Sequence, residues 1–241
     1  MPGAEFSAAL GAARQQSHAA LLSENEGLER MGKKREICVV IGSVPVKNDA
    51  LKKLDRARCF IICADGGYDN AVRYGIQPDL LIGDFDSVKS ELPGDVETVR
   101  LKVEKDDTDT FAAVKEGLRR GYRSFVLAGV FGGERSDHSY ASLCVLQYLC
   151  GQGCKAVMEG DRCRVFLLRG GKLTLRGMKG KTVSIFPFGC VSCEVSYTGL
   201  QYPLSRTLLF SDTPLGVSNR AVDDSASVTV HSGDALIMVE R

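Results

Sequence analysis

The strongest constraint on the fold is a change of texture near Gly153 in a chain of 241 residues. Before that point, short apolar, β-branched runs alternate with stretches of helical spacing; after it, helical spacing disappears and short β-rich runs separated by turn residues take over. Strands that alternate with helices demand a parallel sheet covered on its faces, whereas short strands joined by turns build an antiparallel sandwich or barrel. The expected architecture is therefore α/β: an N-terminal parallel-sheet domain over residues 34–155, followed by a C-terminal antiparallel β-sandwich over 156–241. Residues 1–33 are alanine-rich, mixed in charge and without an apolar core long enough for a signal peptide. They read as a disordered tail or frayed helix, and removing the part before Met31 is expected to change little.

In the first part, strands are expected over 36–42, 59–64, 80–82 and 124–130, with helical spacing over 48–58, 68–74, 110–120 and from the 132–138 turn to about 150. Gly75 and Gly121 sit where helix C-caps belong. In the second part, strands are expected at 165–169 and 173–176 about a Gly170-Gly171 turn, then at 182–188, 193–197, 207–210, 227–231 and 235–239.

Composition removes several function classes. A net charge of +1 gives no global basic field for nucleic acid or a membrane surface, and no run approaches the length of a transmembrane helix. Nine cysteines, an odd number scattered through apolar runs, fit a reduced, cytoplasmic protein rather than a disulfide framework. Cys190 and Cys193 have metal-like spacing, but without a second such pair they read as ordinary strand cysteines. Gly180-Lys181-Thr182 resembles the end of a P-loop, yet Leu175 occupies the required first glycine position and a strand follows. Ser136, Asp137 and His138 are contiguous and no GxSxG elbow exists, which argues against a serine hydrolase.

The chemistry gathers where strands stop and helices start. One strand ends in Asp65-Gly66-Gly67, where glycines let the backbone approach a ligand; alone, this turn is equally a plain tight turn. The next ends in Gly83-Asp84-Phe85-Asp86-Ser87, and extended backbone would put Asp84 and Asp86 on one face with Phe85 turned to the core. Lys105-Asp106-Asp107-Thr108-Asp109 opens a helix, with Asp106 and Asp109 three apart in its first turn; more polar oxygens stand there than one cap needs. A further strand runs into Gly132-Gly133-Glu134-Arg135-Ser136-Asp137-His138, where Arg135 and a helix N-terminus suit phosphate, while His138 could equally cap or pack. Carboxylates alone repel phosphate, so this set implies a hard cation, and oxygen-only ligands favour magnesium.

Taken in order, these motifs resemble the thiamine pyrophosphokinase (thiamine diphosphokinase) family, together with Thr198-Gly199-Leu200-Gln201-Tyr202-Pro203-Leu204 and Gly216-Val217-Ser218-Asn219. The likeness covers nearly everything after Met31. It implies magnesium-dependent transfer of a pyrophosphoryl group from ATP to thiamine in a homodimer with sites across the interface. It further implies catalytic Asp84, Asp86, Asp106 and Asp109, with Asp84, Asp86 and Asp109 on the metal. ATP would be held by Asp65, Gly66, Gly67, Lys105, Thr108, Gly132, Gly133, Arg135, Asp137 and His138, and thiamine by Tyr202, Ser218 and Asn219. On spacing alone, Tyr202 is an ordinary sandwich tyrosine and Ser218-Asn219 an ordinary turn. A tryptophan common in animal relatives after the TGL turn is Tyr202 here, and the chain has no tryptophan. Two other readings use the same aspartates: a magnesium- or manganese-dependent nucleotide phosphohydrolase, and a non-catalytic thiamine or nucleotide binder.

Overall fold

A computed structural model describes residues 35–47, 49–102 and 107–241. The tail over 1–33, Lys105 and Asp106 lie outside the described residues. The apolar run ICVVI forms β1 (Ile37–Ile41), and β2 (Cys59–Ala64) and β3 (Leu80–Gly83) pair beside it in parallel. A polar strand not expected from the pattern, β4 (Glu97–Arg100), completes that flank. On the other side of β1 lie β5 (Ser124–Ala128) and then β6 (Lys155–Glu159), again parallel.

Side chains alternate across this sheet as the pleat requires. Val39 and Ile41 of β1 join one buried cluster, while Cys38 and Val40 join another with Phe125 and Leu127 of β5. The second face is covered by α2 (Asp109–Arg119) and α3 (Ser136–Gly151), through Val114, Leu146 and Leu149. The first face carries α1 (Gly67–Arg73). The helix expected over 48–58 is instead two single 3-10 turns, Leu51–Lys53 and Arg56–Arg58. Leu54 between them is extended, and the Asp55 carboxylate accepts from the Ala57 amide, restarting the chain as a new capped turn.

After β6 the sheet changes sense. Its neighbour β7 (Cys163–Arg176) is antiparallel, and β7 and β12 (Ser225–Glu240) form a long ribbon. Each had been expected as two short strands. Gly170 and Gly171, with positive φ, bend β7 opposite a register shift between Val230 and Asp234 of β12, so both strands turn a corner together. Before the corner β12 pairs with β9 (Ser192–Thr198), and after it with β8 (Thr182–Pro187); β10 (Thr207–Phe210) and β11 (Asn219–Arg220) close the edges on β9 and β8. The result is the α/β-plus-β-sandwich class expected, with Val183, Ile185, Val195, Tyr197, Val228 and Ile237 in the sandwich core.

Candidate active site

Strand order in the parallel part is β6-β5-β1-β2-β3-β4, so the chain leaves β1 in one direction and later returns to its other side. Such a reversal opens a crevice beyond the carboxyl ends of β1 and β5, the usual ligand position in doubly wound sheets. A small cleft lies there, lined by Ser43, Val44, Thr108, Gly129, Val130 and His138 among others. Two glycines allow the strand ends to pinch together. A Cβ on Gly42 would stand 2.6 Å from the Gly129 carbonyl oxygen, and one on Gly129 2.6 Å from that of Gly42. Asn70 on α1 fastens the loop after β1: its amide nitrogen donates to the carbonyls of Gly42 (2.8 Å) and Val44 (2.9 Å), and its oxygen accepts from the Val46 amide at 3.3 Å. Neither this loop nor Asn70 was singled out from sequence. An asparagine inside a helical stretch, where propensity disfavours it, was the only signal the sequence offered.

Three carboxylates meet beside the cleft. Asp65, Asp84 and Asp86 each offer an oxygen within 4.8 Å of the others. Asp84 and Asp86 do not reach one side by extended alternation. The strand ends at Gly83 and Phe85 is left-handed (φ 63°), so the DFD segment is a turn in which the Asp84 carboxylate accepts from the Asp86 amide at 3.3 Å. Phe85 still packs on the core. Farther along, Asp69 of α1 holds this loop by accepting from the amides of Lys89 (3.1 Å) and Ser90 (2.9 Å). Asp65 is itself left-handed (φ 47°); one of its oxygens accepts from the Ser87 hydroxyl, while the other, Oδ1, is buried without a hydrogen-bond partner among the described residues. Asp86 titrates above its ordinary value, chiefly because of Asp84, with Asp65 and Asp109 adding to the push. Crowded anions, one oxygen unpaired, fit a site for a cation with oxygen ligands.

Asp109 lies outside that trio. Thr108, not an aspartate, caps α2, accepting from the Phe111 amide at 3.2 Å, and Asp107 pairs with Lys115. The Gly66-Gly67 turn is explained in part by packing, since a Cβ on Gly67 would fall 1.9 Å from the Ile41 carbonyl oxygen. Gly132 and Gly133 take positive φ ahead of α3, and the Ser139 hydroxyl accepts from the Gly132 amide at 3.0 Å. Arg135 and Asp137, both exposed, pair with each other at 2.6 Å, and His138 reaches the cleft.

The remaining candidates lie in the sandwich. A pocket of about 320 Å³ is walled by Tyr197, Tyr202, Leu204, Leu215, Val217 and Asn219. Asn219 is buried and its side chain is committed: its oxygen accepts from the amides of Tyr202 (3.1 Å) and Arg220 (2.9 Å), and its nitrogen donates to the Tyr202 carbonyl at 2.8 Å. It therefore holds the Tyr202 loop. Ser218 (φ 56°) is exposed, its amide donating to the Ser184 hydroxyl at 3.0 Å.

A doubly wound sheet with a switch-point cleft and a carboxylate trio, joined to an antiparallel domain with an aromatic-walled pocket, defines a two-part α/β protein with a candidate ligand site in each part. The family models described as "Thiamin pyrophosphokinase, catalytic domain" and "Thiamin pyrophosphokinase, vitamin B1 binding domain" match residues 51–158 and 172–237. Thiamine pyrophosphokinase 1 of Oryza sativa is 26% identical over 208 residues, covering 74% of this chain and 77% of its own; the Bacillus subtilis thiamine pyrophosphokinase is 24% identical over 184 residues, covering 74% and 85%. The B. subtilis crystal structure superposes with a TM-score of 0.76 at 20% identity over 85% of this chain and 98% of that one, and the Candida albicans enzyme with 0.69 at 18% over 85% and 89%. The chain belongs to the thiamin pyrophosphokinase family.

Proposed function

We propose that this protein transfers a pyrophosphoryl group from ATP to thiamine, giving thiamine diphosphate and AMP. The thiamine hydroxyl oxygen bonds to the β-phosphorus, the bond from that phosphorus to the bridging α–β oxygen breaks, and the hydroxyl proton is released. The observation that carries this reading is the trio Asp65, Asp84 and Asp86, with its unpaired Asp65 oxygen, beside the switch-point cleft. Those residues fit magnesium, and Asp109, at the start of α2, would act alongside them. When bound, the cation neutralises charge on the transferring phosphoryl group. Ser43, Val44 and His138 line the nucleotide cleft, while Gly132, Gly133 and the α3 N-terminus offer amides to the phosphates. Arg135 would exchange its exposed partner Asp137 for phosphate. Asp65-Gly66-Gly67 and Thr108 would complete the nucleotide side.

Thiamine is assigned to the sandwich pocket, with Tyr202 as the aromatic face for its cationic ring and Asn219 and Ser218 shaping the wall. The carboxylates follow β2 and β3 while the pocket is walled from β9 and the loops beyond it, seven strand-to-strand steps away in the sheet order, and a homodimer in which one copy's pocket faces the other's carboxylates would bring the two together. All nine cysteines are free, consistent with a cytoplasmic setting. The test is incubation with ATP and magnesium, with and without thiamine. AMP and thiamine diphosphate appearing together only with thiamine supports the proposal; phosphate release without thiamine identifies a phosphohydrolase, and binding without turnover a non-catalytic binder.

A further inference from the structure

Adjacent residues of one helix hold the two sides of the site. Asp69 of α1 accepts from the Lys89 and Ser90 amides and so secures the loop that follows the carboxylate turn. Asn70, next to it, is 3% exposed and reaches the loop after β1. Beyond Ile41 the chain leaves β1, and this one side-chain amide stands in for a neighbouring strand: its nitrogen donates to the Gly42 (2.8 Å) and Val44 (2.9 Å) carbonyls, and its oxygen receives the Val46 amide at 3.3 Å. Alanine or leucine would suit the helix better but would leave those backbone groups unmet. The Asn70 nitrogen also closes on the loop after β5, since a Cβ on Gly129 would stand 3.2 Å from it. Val44 in turn donates its amide to the Gly129 carbonyl at 2.8 Å and sets its side chain against the turn before α3, where a Cβ on Gly133 would fall 3.3 Å from it.

We propose that Asn70 is a positioning residue for the nucleotide: through the loop after β1 it fixes the cleft wall of Ser43 and Val44, and through Val44 the Gly132-Gly133 turn, at a set offset from the carboxylate trio, whose Asp65 lies just ahead of α1. This rests on the reading of that cleft as the nucleotide site. With α1 only about two turns long and tied to both loops, position passes along it with little room to bend. A wall that drifts weakens several phosphate and cleft contacts at once, which is how a side chain can govern nucleotide binding through others.

Two variants of the full chain test it: Asn70→Asp, which keeps the shape but turns a second oxygen on the Gly42 and Val44 carbonyls, and Asn70→Ala. Each should raise KM for ATP about tenfold. The calorimetric Kd for thiamine measured without ATP, and the melting-temperature gain from magnesium, should both stay at the wild-type values, since neither the sandwich pocket nor the trio is altered. Tyr74→Phe reaches the same loop separately, because the Tyr74 hydroxyl donates to the Val46 carbonyl at 2.7 Å. It should raise KM for ATP about two- to threefold, which decides the matter even where the Asn70 variants do not fold. An unchanged KM for ATP in folded Asn70 variants, or a rise matched by equal losses of thiamine and magnesium binding, would overturn the proposal. So would Asn70 variants that do not fold together with an unchanged KM in Tyr74→Phe. Wild-type protein that makes no thiamine diphosphate would remove the functional reading itself, an outcome distinct from an active wild type whose Asn70 variants keep their KM.

Discussion

Replacing Asp65 with asparagine takes one charge from the carboxylate trio while preserving its shape. Asparagine accepts the left-handed backbone at this position (φ 47°), its carbonyl can still receive the Ser87 hydroxyl, and its amino group supplies a donor next to the remaining carboxylates. Oxygens of the trio lie within 4.8 Å of one another. At that separation two unit charges repel by about 0.9 kcal/mol in water and about 3.5 kcal/mol at an effective dielectric of ~20. Asp65 and Asp84 are half-buried, which places their mutual repulsion at about 1–2 kcal/mol. Giving the buried, unpaired Oδ1 position a neighbour it can bond adds about 1 kcal/mol in the same direction. In EDTA, the melting temperature of Asp65→Asn should therefore rise by about 4–12 °C, taking ~2–4 °C per kcal/mol for a chain of this size. Magnesium reverses the order. A site at a hundredfold excess over its Kd stabilises by about 2.7 kcal/mol, and the variant should lose most of that gain. Differential scanning calorimetry with EDTA and with saturating magnesium reads both effects. A variant less stable than wild type in EDTA, or one that keeps the full magnesium gain, would refute the metal assignment.

Asp84→Asn and Asp86→Asn should each lower turnover by orders of magnitude with the fold intact by circular dichroism; near-normal activity in both at saturating magnesium contradicts the site. Because Asp86 titrates high, the folded chain holds its proton more tightly than the unfolded one, so metal-free stability from this group is present at low pH and lost as pH rises through the raised pKa, while magnesium affinity moves the other way. Magnesium titrations at a pH of ~5 and ~7 should show the weaker binding at the lower value. Asn219→Ala should raise KM for thiamine far more than KM for ATP, since it frees the Tyr202 loop; Tyr202→Ala should do the same, and equal effects on both substrates would displace the acceptor site. Arg119 and then Arg120 hold the Glu116 carboxyl at about 2, so Glu116 stabilises above the unfolded value of ~4.3 and that contribution fades as pH falls toward the folded one. Glu116→Gln should cost about 1 kcal/mol at neutral pH and nothing in strong acid, by urea titration.

The site was legible where the chemistry is local and obscure where it depends on chain path. Asp84 and Asp86 stood out as a pair at a strand end, yet their convergence comes from left-handed Phe85, which two-residue alternation cannot anticipate. Asp65 was assigned to the nucleotide rather than the metal because its nearness to the DFD turn depends on β2 and β3 pairing in register, with Ala64 opposite Ile82. Ser43, Val44, Gly129 and Val130 carry no motif; they matter because β1 and β5 are neighbours, which strand order alone decides. Polar β4 was missed because ETVR lies on an outer strand with little to bury. In the second half, glycines that read as turns proved to be corners inside long strands, since the hydrogen-bond ladder continues across a bend. Asn219, expected to bind thiamine, has its side chain bonded to the Tyr202 backbone and the Arg220 amide, a commitment that depends on how the chain folds back and not on local sequence.

The parallel and antiparallel halves are joined edge to edge by two residue pairs, Met158 with Val165 and Glu159 with Arg164. Short as it is, that seam leaves neither half a finished edge of its own. A fragment ending before β6 would expose the flank of β5, whose Phe125, Val126 and Leu127 are buried in the full chain, and a fragment beginning after it would present bare β7. Unpaired apolar edges recruit strands from other molecules, so separately expressed halves should aggregate or exchange strands rather than behave as two independent modules. Anyone wishing to graft the antiparallel sandwich onto another catalyst would have to carry β6 along with it, or build a new strand to take its place.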